Sequence, residues 1–193
     1  PPAGLDMVRA VENYATYRSG EHAWALGRFI VPVLRLAEFD RAIAEIHTRK
    51  SAPWKLSALV GPRPEEEIVA VSDFNKSHAG VTVIDSVELK AVTAEEVETA
   101  AKVVPLSLTA FVEVPLEPDP YDLVSMIGSS GLRAKVRTGG TRGDAFPASA
   151  SLARFVHTCV AAKVPFKATA GLHHPLRAKY RLTYELNSPT EMM

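Results

Sequence analysis

The sequence predicts an α/β fold with parallel strands, a (β/α)8 TIM-barrel-like domain of which about six βα units are visible in 193 residues. Three observations lead there. Segments with helical spacing alternate in order with short β-branched or apolar runs, the pattern of repeated βα units. No linker or low-complexity stretch breaks the series, so residues 1–193 read as a single barrel-type domain. The later strands carry one apolar and one charged face, where a doubly wound sheet covered on both sides would read as near-continuous apolar runs.

The elements follow in order. A helix over Leu5 to Arg18 comes first; strand Arg28 to Leu34 leads to helix Ala37 to Arg49. Strand Lys55 to Val60 passes through Gly61-Pro62-Arg63-Pro64 into a helix around Glu65 to His78. Strand Val81 to Lys90 precedes helix Thr93 to Val103, where Thr93 followed by Glu96 is a capping-box signature. Strand Leu108 to Val114 precedes helix Tyr121 to Ser129, started by Pro118-Asp119-Pro120. Strand Leu132 to Thr138 precedes helix Ser149 to Ala162, and strand Val164 to Ala170 is last. The chain opens on Pro1-Pro2 and stops at Met193, so the first and last barrel strands are expected beyond both ends.

Strand count also fits an open doubly wound sheet, and side-chain parity decides between the two. It sets Leu132, Ala134 and Val136 against Arg133, Lys135 and Arg137. It sets Val164, Phe166, Ala168 and Ala170 against Lys167, Thr169 and Gly171, and Ala110, Val112 and Val114 against Thr109, Phe111 and Glu113. In Val81 to Lys90 it groups Thr82, Ile84, Ser86, Glu88 and Lys90. The interior set is then Glu88, Lys90, Glu113, Arg133, Lys135, Arg137, Lys167 and Thr169, and its excess of cations calls for a small carboxylate or phosphate ligand. Gly139, Gly140 and Gly171 offer backbone amides to that anion, and Arg137-Thr138-Gly139-Gly140-Thr141-Arg142-Gly143 reads as a phosphate-holding loop or a mobile one with two solvated arginines. His173, just after the last strand, is a further candidate contact.

Net charge of zero argues against a nucleic-acid binder or an anionic-membrane binder. No apolar run reaches the roughly 18 residues of a membrane span, and a lone cysteine, Cys159, fits a reducing cytoplasm as a core residue. Tyr14, Tyr17 and Trp24 read as packing. No cofactor is expected, no His-x-His or Glu-x-x-His spacing supports a metal, and exposed sheet edges predict self-association into a homo-oligomer.

A lysine among cations is more readily neutral and so nucleophilic toward a carbonyl carbon. The stretch Lys135-Val-Arg-Thr-Gly139, a helix, then Lys167-Ala-Thr-Ala-Gly171 resembles class I aldolases of the deoxyribose-phosphate aldolase type. There a Lys-Thr-Ser-Thr-Gly strand carries the Schiff-base lysine and a second lysine follows on the next strand. The resemblance implies a lyase acting on a small anionic carbonyl compound, with Lys135 forming the imine, Lys167 perturbing it and Glu88 relaying protons. Arg137 stands where that family has a small hydroxyl residue, and the relay position holds a glutamate rather than an aspartate. The segment Lys167 to Pro175 is also similar to uncharacterised bacterial proteins, which implies no activity. Three alternatives stay open: a structural ion-pair network with Glu88 and Glu113, a metal-assisted barrel enzyme using those glutamates with a histidine of the His173-His174 pair, and a non-catalytic anion-binding module.

Overall fold

Strand and helix alternate as expected in a computed structural model that describes residues 4–46, 53–172, 174, 176, 178–183 and 185–192. The elements are α1 (Met7–Arg18), β1 (Phe29–Pro32), α2 (Leu36–Ala44), β2 (Trp54–Leu59), α3 (Pro64–Ser77), β3 (Thr82–Lys90), α4 (Ala94–Val103), β4 (Thr109–Glu113), α5 (Tyr121–Ser129), β5 (Arg133–Arg137), α6 (Ser149–Ala161), β6 (Phe166–Thr169), β7 (Lys179–Arg181) and β8 (Thr190–Met192). Strands β1 to β6 form one sheet in sequence order, and β7 pairs with β8 in a separate antiparallel ribbon. The expected barrel has eight strands; this sheet has six. The chain divides into two compact units, Leu5–Leu89 with Lys102–Ala110, and Pro1–Gly4 and Lys90–Ala101 with Phe111–Met193.

In the first unit, β1, β2 and β3 run parallel, with Phe29 opposite Leu56 and Leu56 opposite Ile84. Phe29, Val31, Leu56, Ala58, Ile84 and Val87 are buried, as are Phe39 and Ile43 of α2 and Val71 and Phe74 of α3. Each large apolar side chain so buried contributes about 1.5–3 kcal/mol. Tyr14 packs against Trp54 with ring centroids 4.7 Å apart and its hydroxyl donates to Gly27 O at 2.7 Å, which makes it the packing residue expected. Tyr17 and Trp24 are not: both are exposed, Trp24 by 85%.

A bulge changes the reading of β3. Ser57 pairs with Ser86 and Leu56 with Ile84, so Asp85 is an extra residue on β3 and the alternation restarts after it. Thr82, Ile84 and Val87 therefore share a face, and the grouping of Thr82 and Ile84 with Ser86 and Glu88 is corrected. Asn75 holds the bulge: its amide donates to Ile84 O and accepts from Ile84 N–H, both at 2.8 Å. Asp85 is turned toward Arg28, which it pairs with, and lies 4.0 Å from Lys55.

In the second unit, α4 starts with the expected capping box, Glu96 N–H to Thr93 Oγ1 at 3.2 Å and Thr93 N–H to Glu96 Oε2 at 3.1 Å. Helix α5 starts where Asp119 accepts from Tyr121 N–H at 3.0 Å. Strands β4, β5 and β6 are parallel neighbours, and the apolar faces of β4 and β5, Ala110, Val112, Ala134 and Val136, are buried, whereas Phe166 of β6, expected on the same apolar face, is exposed. Phe155 and Cys159 of α6 are fully buried. The hairpin β7–β8 was not anticipated; strands of three residues are too short to show a period. Among the described residues no helix is long and apolar enough to cross a membrane.

Candidate functional site

Three ionisable residues occupy one register row on adjacent strands of the second unit: Glu113 opposite Lys135, and Lys135 opposite Lys167. Neighbouring strands lie about 4.8 Å apart, so the row is a short ladder of charge on one sheet face. Burial of Ala134 and Val136 on the opposite face commits Arg133, Lys135 and Arg137 to this one. Lys135 Nζ lies 2.7 Å from Glu113 Oε2, with side chains 9% and 11% exposed. The contact is one of charge and proximity, since Oε2 receives no aligned hydrogen bond among the described residues. Lys90 Nζ, on a mostly exposed side chain, lies 3.8 Å from Glu113 Oε1.

Phe111 lies one turn of the pleat back on β4, opposite Arg133. Its ring carries Lys167 Nζ at 4.1 Å from the centroid and Arg133 Cζ at 5.7 Å. An aromatic face flanked by two cations gives the row an apolar floor that still tolerates positive charge. Parity placed Phe111 on the charged face, but a lone apolar residue among charges carried no signal of its own.

The loops after β5 and β6 fit together through their glycines. Gly171 has φ +70°, and a Cβ there would lie 2.6 Å from Thr138 O; a Cβ on Gly139 would lie 2.6 Å from Gly171 Cα. Close backbone contact between the two loops therefore requires glycine at both positions. Thr138 is buried, donates its hydroxyl to Ala170 O, and its N–H donates to Thr169 O at 2.9 Å. Arg137 is exposed, and its Nε donates to Gly139 O at 2.9 Å, which bends the side chain back over its own loop. Gly140 sits against Ala145. Thr169 is half-buried, opposite Arg137 in register.

Glu88 belongs to the first unit, where it is 3% exposed and accepts a hydrogen bond from Ser57 Oγ at 2.9 Å. Ser57 in turn lies 3.4 Å from Ser86 Oγ. Ser57 was missed because β2 was read for its apolar residues alone. His173 lies outside the described residues; His174 stacks on Tyr180 at 3.6 Å. No group of three or more His, Cys, Asp or Glu among the described residues is arranged to hold a metal.

Two further features lie in the second unit. A cavity of about 540 Å³ in the same unit is lined by Thr138, Phe146, Leu152, Val156, His157 and Leu172 among others, and by none of the row's cations. At the foot of α6, the Ser151 hydroxyl and the Arg154 guanidinium hold the Glu117 carboxyl below the usual carboxylate range. Burial pushes the Cys159 thiol up to about 11, which fits the core role expected of it. No family model matches the chain, and no curated protein and no solved structure matches it either.

Proposed function

We propose that the Glu113–Lys135–Lys167 row is the site of a lyase in which a lysine amine condenses with the carbonyl of a small anionic compound, on a (β/α)8-type architecture. The observation that carries this reading is the register itself: two amines and a carboxylate on three adjacent strands of one sheet face. Imine formation needs an amine, a neighbouring charge and a group that moves protons, and the row supplies all three. Arg133 and Arg137, exposed on the same strand, hold the substrate's carboxylate or phosphate. The iminium then draws electrons from the adjacent carbon–carbon bond, which breaks in the lyase direction and forms in reverse.

Borohydride reduction in the presence of small aldehydes, sugar phosphates and keto acids tests it. The intact protein is expected to gain the mass of one reduced adduct, and folded protein that gains none with any of these compounds contradicts the reading.

A second reading is favoured by the ion pair. Lys135 and Glu113 at 2.7 Å, each about a tenth exposed, also suit a non-catalytic anion-binding module whose charges are structural. That reading expects thermal stabilisation by phosphate, weakened in Arg133→Ala, and no adduct.

A further inference from the structure

We propose that the cavity between α6 and the loops after β5 and β6 binds a small uncharged aromatic molecule carrying one hydrogen-bonding group. The proposal stands apart from the lyase reading, because none of Glu113, Lys135 and Lys167 lines this space.

Helix α6 supplies one wall through its sequence period. Its buried residues are Phe155, Thr158 and Cys159. Ser149, Leu152, Ala153, Val156 and His157 recur at i, i+3, i+4, i+7 and i+8 as a second stripe, and all of them line the cavity. Leu152 and Val156 in that stripe are only half-buried. The other walls come from Phe146 and Pro147 after β5, Leu172 and His174 after β6, and Met192 of β8. Leu172 and Met192 are 66% and 40% exposed. Apolar side chains from separate stretches of the chain thus converge on a space they do not fill, and they forgo dispersion contacts that an occupant would supply.

Place, size and lining define that occupant. Thr138 follows β5 directly and Gly171 closely follows β6, so the cavity lies at the C-terminal ends of two parallel strands, where α/β sheets hold their ligands. Its volume of about 540 Å³ falls within the range of about 300–1,000 Å³ typical of small-molecule sites. No Lys, Arg, Asp or Glu lines it among the described residues, so a charged ligand would give up its hydration with no fixed countercharge in return. Phe146 and the Met192 thioether favour an aromatic ring. The Ser149 hydroxyl and the imidazoles of His157 and His174 are available to one polar substituent.

Methyl-resolved NMR of the full chain titrated with p-cresol, indole and benzamide tests the proposal, with benzoate and benzylamine as charged counterparts. At millimolar concentration at least one uncharged probe is expected to shift the methyls of Leu152, Val156 and Leu172 saturably, at least tenfold more tightly than either charged probe. Ala153 is exposed and lines the cavity, so Ala153→Trp fills it without entering the core and should weaken that binding at least tenfold. If no uncharged probe shifts these methyls in the wild-type chain, the site is overturned, whether or not the variant folds. A charged probe that binds as tightly as the uncharged ones overturns the ligand class, and unchanged binding by folded Ala153→Trp overturns the placement.

Discussion

Lys135 stands on the charged face because its neighbours in the chain cannot: Ala134 and Val136 are fully buried, and alternation leaves the odd residues of β5 no other side. That much was legible in the sequence. Its pairing with Glu113 was not, because parity names a face and only register names a neighbour. Replacing Glu113 by Gln removes the carboxylate of a desolvated ion pair, and a loss of about 3 kcal/mol is expected in chemical denaturation. The double variant Glu113→Gln/Lys135→Met should lose less than Glu113→Gln alone, since both members of the pair are removed together. Cys159 gives a pH signature of a different kind. Its thiol titrates near 11 in the folded chain, above the 9.0 of an unperturbed thiol, so between these values the native state holds the proton that the unfolded state has released. Stability contributed by the protonated thiol is complete below about 9 and is lost as pH rises through that window. Cys159→Ala should flatten the decline in a denaturation series from pH 8 to 11.

At the scale of elements, helices and strands with clear periods were legible to within a few residues, as α5 (Tyr121–Ser129) and the Thr93–Glu96 capping box illustrate. Devices that act by one residue were not. The Asp85 bulge reverses the alternation of β3, and its clamp, Asn75, is distant from it in the chain and looks like an ordinary helix residue. Asn75→Leu leaves the N–H and C=O of Ile84 without that amide, and a loss of about 2–3 kcal/mol is expected in urea denaturation. The glycines after β5 and β6 looked like an anion cradle, yet the space beside Gly139 and Gly171 is filled by backbone. Gly171→Ala combines a positive φ with a contact of 2.6 Å to Thr138 O, so it should destabilise by about 1–3 kcal/mol, with Ala150→Gly at an exposed position of α6 as a milder comparison.

For the whole molecule, the alternation of strand and helix specified a six-stranded sheet in sequence order, since each βα unit lays its strand beside the last. The site was legible as a set of cations and two glutamates. Its internal arrangement, a carboxylate and two amines in one row over Phe111, depends on register and lies beyond parity. The two edge strands bear on assembly: β1 exposes Ile30 and β6 exposes Phe166, so concentration-dependent association is expected in sedimentation, reduced by Ile30→Lys. The central claim is that this row activates the carbon beside a carbonyl, and proton exchange at that carbon reports it directly. Followed by NMR in D₂O with small aldehydes and keto acids, the α-protons should exchange with solvent faster with the folded chain than with the Lys135→Met/Lys167→Met variant. Equal exchange with both proteins would contradict the account.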